Sequence, residues 1–232
     1  MNIKRYIATI ILAIVLLLNF SCTDWLDVKP VDRMSEDQLY STEAGFRQAL
    51  NGIYVELNHA DLYGDELLVN TVEILAQRYK FSSMGTLTNQ YHLAEFDYTT
   101  DYAKKCGSRI WEKAYALIAN VNKLLKNADS HKDLFTGDSY DLITGEAYAL
   151  RAFLHFDLLR LFGPVYKTHK EDKSICYNTQ FSLSGSDLLP ASKVMEYVIA
   201  DLKEAEDRLA KDPIIEEGPL LSDGATEEED FW

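Results

Sequence analysis

The chain has 232 residues, with 23 Lys and Arg against 37 Asp and Glu, a formal net charge of −14. That length holds one good-sized domain with a real core, or two small ones, and a hydrophobic fraction of 47% excludes wholesale disorder. The acidic balance repels phosphates and anionic headgroups, so nucleic acid is excluded as a partner.

The chain opens with "MNIKRYIATIILAIVLLLNFSC". Lys4 and Arg5 precede an apolar run from Ile7 to Leu18. A run of about 12 residues is too short to span a bilayer, which takes about 20. A basic start, a short apolar stretch, a small residue and then a cysteine read as a secretory signal over residues 1–21. Cleavage before Cys22 would leave its thiol at the new N-terminus, open to a diacylglycerol. Ser21 is the small residue this requires, although the usual leucine lies one place early, at Leu18. An ordinary secretory signal is the alternative. Residues 22–34 are short, polar and proline-containing, and read as a tether.

Ser35 heads a capped helical start, with Glu36 and Asp37 at its positive end. Thr42 opens the next helix, "TEAGFRQALNGIYVELN". Its Phe46, Ala49, Leu50, Ile53, Tyr54 and Leu57 recur at three- and four-residue steps. Gly45 and Gly52 suggest close helix contact. A third helix is expected over residues 65–79, with Leu67, Leu68, Val72, Leu75 and Ala76 inward. Residues 80–100 lose the period and read as a long loop rich in Ser, Thr, Asn and Tyr. Such loops are often functional.

The longest helix is expected over residues 101–127, with Ile110, Trp111, Ala114, Tyr115, Ile118, Val121 and Leu125 on one stripe. The next starts near Ser139 and runs through "GEAYALRAFLHFDLLRLFGPV". Ala149, Ala152, Phe153, Phe156 and Leu159 line one face, and Leu150, Leu154, Leu158 and Leu161 another. A helix apolar on so much of its circumference is buried between neighbours, and Gly163-Pro164 stops it. The last helix follows Pro190, with Val194, Tyr197, Val198, Leu202, Ala205 and Leu209 at helical steps. No run of alternating strands is found, so the domain reads as all-α.

The chain has no nucleophile elbow, P-loop, zinc-protease helix or dinucleotide loop, so it reads as a non-enzyme without a cofactor. His155 lies inside the buried helix and reads as a hydrogen-bonded core residue. Asp61 and Asp65 flank Gly64 but lack the spaced oxygens of a calcium loop. Cys106 and Cys176 allow either one bridge or two unpaired thiols. Most of the 14 Tyr, 10 Phe and 3 Trp lie on helical stripes and read as core. The exceptions are Tyr91, Phe96 and Tyr98 in the long loop, near Asn89, Gln90 and Asp97. Flat rings with one open face suit sugar stacking, with amides and carboxylates bonding the hydroxyls. Asn89, Tyr91, Phe96 and Tyr98 are therefore the candidate ligand residues.

Several segments, in this order, resemble the RagB/SusD family of nutrient-binding outer-membrane lipoproteins. They are "SCTDWLDVKP", "TEAGFRQALNGIY", "IWEKAYALIANVNKLL" and "GEAYALRAFLHFDLLRLFGPV", with "PASKVMEYVIADLKEAEDRL" fitting as well. The resemblance implies a SusD-like scaffold of tetratricopeptide-like helical hairpins over residues 35–232. It also implies a lipid on Cys22 and a surface-exposed place on the outer membrane. The implied activity is binding of glycans or peptides and their delivery to a SusC-like TonB-dependent transporter. Members of the family run considerably longer, so the chain resembles the N-terminal part of a truncated member. A different class, an envelope helical-repeat interaction module without a small ligand, is the competing expectation.

Overall fold

The computed structural model describes residues 35–81, 88–181 and 186–218. The predicted signal 1–21, the tether 22–34 with Cys22, and residues 219–232 lie outside them. From Glu36 onward the chain forms one compact unit.

The described helices are α1 (Glu36–Leu39), α2 (Glu43–Leu57), α3 (Thr71–Leu75), α4 (Thr88–Ala94), α5 (Asp101–Ser130), α6 (Ser139–Phe162), α7 (Tyr166–His169), α8 (Ala191–Leu209) and α9 (Pro213–Glu217). The domain is all-α, as expected. Among the described residues, β pairing is limited to one isolated bridge, Lys173 to Pro190. No described helix is long and apolar enough to cross a membrane.

Local chemistry sets the helix starts. The Thr42 hydroxyl accepts from the Gly45 amide at 3.1 Å, and the Thr100 hydroxyl from the Ala103 amide at 3.2 Å. Each satisfies an amide that has no partner inside its helix. Gly45 is required by close approach, because a Cβ there would lie 1.7 Å from the Leu39 carbonyl oxygen. Gly52 faces open space, so the expectation of a helix contact there fails.

Helix α6 lies between α5 and α8. Gly145 lets α8 cross closely, since a Cβ would sit 2.8 Å from Leu209 Cγ. One core unites Ile110, Leu117 and Ile118 of α5, Leu154 and Leu158 of α6, and Val194 of α8. A second joins Phe46, Leu50 and Ile53 of α2 to Val121, Leu124 and Ile143. Each large side chain fully buried this way contributes about 1.5–3 kcal/mol. Helix α5 is the spine of both. Its far end also holds α1, where Glu36 accepts from Lys123 Nζ at 3.0 Å and from Asn127 Nδ2 at 3.4 Å.

Helix α6 ends where the sequence expects, with the Gly163 amide donating to the Leu159 carbonyl at 2.9 Å before Pro164. It is not apolar-buried all round, however. Phe153 and Phe156 are 44% and 37% exposed, while the polar Arg151, His155 and Asp157 are buried.

That inversion has a cause. The Arg151 guanidinium makes two bonds of 2.7 Å to the Asp201 carboxylate on α8. It also donates to Asn122 Oδ1 at 3.0 Å. Tyr177 donates its hydroxyl to the same aspartate. The network fastens an extended strap, Ile175 to Thr179, onto the helices. Asn122 Nδ2 donates to the Asn178 carbonyl at 2.9 Å, and Tyr115 to the Cys176 carbonyl at 2.8 Å. His155 is the core histidine expected. Its Nδ1 lies 2.8 Å from the Arg151 carbonyl, so it carries the proton, and Nε2 accepts from the Asn178 amide at 3.0 Å. Burial holds the ring neutral, with its pKa pushed down to about 4, and the ring stacks on Tyr177 at 3.9 Å.

Three expectations need correction. The helix over 65–79 is instead a run of turns followed by the five-residue α3. Leu68, expected inward, is 56% exposed. The turns wrap the buried Glu66, which accepts from the Thr71 hydroxyl at 2.5 Å and pairs with Arg109 of α5. A buried carboxylate must be partnered, and a straight helix would turn Thr71 away from it. The long loop of 80–100 is not plain loop either, because it contains α4. Helix α5 also runs three residues past the expected 127, to Ser130. The two thiols are both free, Cys106 buried and Cys176 partly so.

Candidate functional site

The predicted ligand residues fall on α4 and its C-terminal cap. Alone, a seven-residue helix has no stability of its own. It is held by Leu93, which is buried against Ile74 of α3 and Ala103 of α5 in a small separate cluster. Its end is closed by a six-residue cap. The Asp97 amide donates to the His92 carbonyl at 2.9 Å and the Phe96 amide to the Leu93 carbonyl at 3.0 Å. This paired pattern requires a left-handed residue between them, a place that glycine usually takes. Here it is Phe96, at φ +58°.

The consequence is outward presentation of rings. Phe96 is 52% and Tyr98 57% exposed, and they are linked by a 3.1 Å bond from the Tyr98 amide to the Phe96 carbonyl. Asn89 is exposed on α4. Tyr91 is partly buried and meets His92 edge-on at 5.7 Å. Asp97 does a structural job. Its Oδ1 accepts from the Thr99 hydroxyl at 2.6 Å and the Thr99 amide at 3.0 Å, which hold its pKa below the usual carboxylate range.

Tyr98 also stands on the rim of a groove of about 580 Å³, bounded by α3, α4, the first half of α5 and the end of α6. Trp111 and Phe162 form an edge-to-face pair at 5.1 Å in its wall. Lys104, Ser108 and Glu112 supply polar groups. Asn89, Tyr91 and Phe96 are not among its lining residues. A concave apolar surface with a few polar groups is what small-ligand sites look like. Sequence reasoning missed Trp111 and Phe162 as site residues. Trp111 lies on the stripe read as core, and Phe162 is visible only as the last residue before the Gly163-Pro164 stop. It also missed Tyr79, which donates its hydroxyl to the Val69 carbonyl at 2.8 Å and leaves its ring half-exposed beside Phe81.

The two aspartates flanking Gly64 have partners of their own. Asp61 lies 3.6 Å from Arg109 and 3.4 Å from His59, and Asp65 accepts from Asn70 at 3.2 Å. What the arrangement offers is stacking and hydrogen bonding.

Residues 24–217 match a family model described as SusD-like, starch-binding and associating with the outer membrane. The chain belongs to the SusD-like family. A SusD-like protein of Formosa agariphila, P2, is 27% identical over 208 residues, covering 89% of this chain and 38% of that protein. Among solved structures, a SusD-like carbohydrate-binding protein from Bacteroides vulgatus superposes with a TM-score of 0.61 at 21% identity, covering 74% of this chain and 36% of that one. A SusD superfamily protein from Bacteroides fragilis gives 0.60 at 18% identity, covering 71% and 39%. These structures share the SusD-like helical fold. The present chain thus spans well under half the length of the SusD-like relatives it matches.

Proposed function

We propose that this SusD-like chain is a cell-surface lipoprotein that binds glycan, or peptide, nutrients and hands them to a TonB-dependent outer-membrane transporter without cleaving them. In this reading residues 1–21 are the signal, Cys22 carries the lipid, and residues 22–34 are the tether to the SusD-like domain that begins at Ser35. The observation that carries the reading is the pair of outward rings, Phe96 and Tyr98, on a chain matched over residues 24–217 by a family described as starch-binding. Exposed rings on a fixed backbone provide stacking faces without the loss of much side-chain freedom. Asn89 and Tyr91 are assigned to the same surface.

The test is retardation of the full chain in native gels containing soluble starch, then in gels containing other polysaccharides. Retardation that Phe96→Ala and Tyr98→Ala both weaken is the expected result. Equal mobility with and without every polysaccharide would defeat the glycan reading. Lipidation is tested separately, by incorporation of labelled fatty acid that Cys22→Ala abolishes.

The competing interaction-module reading has one observation of its own. Phe153 and Phe156 of α6, and Ile199 and Leu202 of α8, leave substantial apolar surface uncovered. Exposed apolar patches mark protein contacts. Indifference to every polysaccharide, together with a protein contact that Phe156→Asp abolishes, would favour it.

A further inference from the structure

Two non-glycine residues among those described have positive φ, and both lie at this end of the molecule: Gln77 at +59° and Phe96 at +58°. Each closes a helix in the same way. At α3 the Gln77 amide donates to the Ile74 carbonyl and the Arg78 amide to the Glu73 carbonyl, both at 3.0 Å. At α4 Phe96 and Asp97 repeat the pattern. The left-handed conformation is unfavourable for an L residue and comfortable for glycine or asparagine. A glutamine there needs a reason, and its side chain supplies one. Gln77 Nε2 reaches across to donate to the Ala94 carbonyl at 2.7 Å.

Ala94 is the last residue of α4. Its carbonyl is one of the last four, which have no partner within their own helix. The bond therefore satisfies an orphan acceptor and joins the end of α3 to the end of α4, two residues before Phe96. Helix α4 is short, and Leu93 is its one fully buried apolar anchor, so a single polar tie has unusual leverage on where its end lies.

We propose that Gln77 is a positioning residue for the glycan platform, fixing the α4 cap so that Phe96 and Tyr98 present their faces in one arrangement. The proposal rests on the glycan reading above, and its test separates the two. Three variants of the full chain suffice. Gln77→Gly relaxes the backbone but deletes the tie. Gln77→Glu keeps the shape but sets a carboxylate against a carbonyl. Gln77→Lys restores a donor of similar reach.

The readouts are hydrogen exchange of the amides over residues 93–98, the global urea midpoint, and retardation by soluble starch. In Gln77→Gly and Gln77→Glu, exchange should rise and starch affinity should fall by about fivefold, the worth of one net hydrogen bond. The midpoint should stay in place, and Gln77→Lys should recover most of both losses. Unchanged exchange in Gln77→Glu, or faster exchange with unchanged starch affinity, would overturn the proposal. If the wild-type chain ignores starch and every other polysaccharide, the glycan reading falls with the platform role, and exchange alone then shows whether the clamp exists.

Discussion

The two ends of helix α5 are built by different rules. Toward its C-terminal half, α5, α6 and α8 share large apolar cores and a buried Arg151–Asp201 pair that fastens the 175–179 strap from several sides. At its N-terminal end, α3 and α4 rest on a cluster with three buried residues, Ile74, Leu93 and Ala103. Two strained caps and a side-chain clamp complete that end. The scaffold is over-determined, so removal of one contact leaves many others. The platform is determined by a few local choices, so one substitution can re-aim its rings without unfolding the rest. A surface attached to a core in that way can change without cost to the rest of the fold.

The contrast can be broken most severely in the scaffold. Asp201→Ala strands the buried Arg151 guanidinium and should lower the unfolding free energy by about 3–5 kcal/mol in urea titrations. Replacing both partners with apolar residues should recover much of that loss. Next in size is a pH effect. His155 stays neutral down to a pKa of about 4 in the folded chain, against about 6.5 when unfolded. Above pH 6.5 both states carry the neutral ring and its contribution is complete. As pH falls from 6.5 to 4, the unfolded chain binds a proton that the folded chain refuses. Stability should therefore fall by on the order of 3 kcal/mol across that window. His155→Gln should flatten the slope of urea stability against pH between 6.5 and 5.

In the platform the effects are smaller and local. Leu93→Ala should remove about 2 kcal/mol or more from its local stability. The readout is faster exchange over residues 88–98 while the amides of 117–125 keep their protection. If those scaffold amides also lose protection, the two regions are one cooperative unit and the contrast is wrong. The smallest effect has the more telling sign. Phe96→Gly removes the left-handed penalty and should stabilise the cap by about 1 kcal/mol, while starch retention falls. Higher stability with poorer binding would identify Phe96 as a residue kept for its ring.

The scaffold was largely legible in the sequence because its helices are long and their period is strong. The Thr42 start and the Gly163-Pro164 stop set boundaries that the structure follows. The buried charges were not legible. Arg151 and Asp201 lie 50 residues apart, and pattern reading sends charged residues to the surface. Residues 65–79 misled for a related reason. Leu67, Leu68, Val72 and Leu75 fall at helical steps, but the buried pairing of Glu66 with Arg109 bends the chain into turns. At the site, Phe96 and Tyr98 stood out because they fit no helical stripe. Gln77 gave no such signal, since nothing in a glutamine announces a left-handed backbone.

Helix α5 also acts as a spacer. Thirty residues long, it extends about 45 Å. Glu36, where the compact unit begins, is pinned to Lys123 and Asn127, whereas the platform cluster grips Ala103. The intervening 20 or so residues separate the two by roughly 30 Å along the axis. The ring-bearing end of α5 is thus remote from the end that holds the start of the compact unit. Substitutions at the two ends share no partners across that distance, so their effects on stability should add independently.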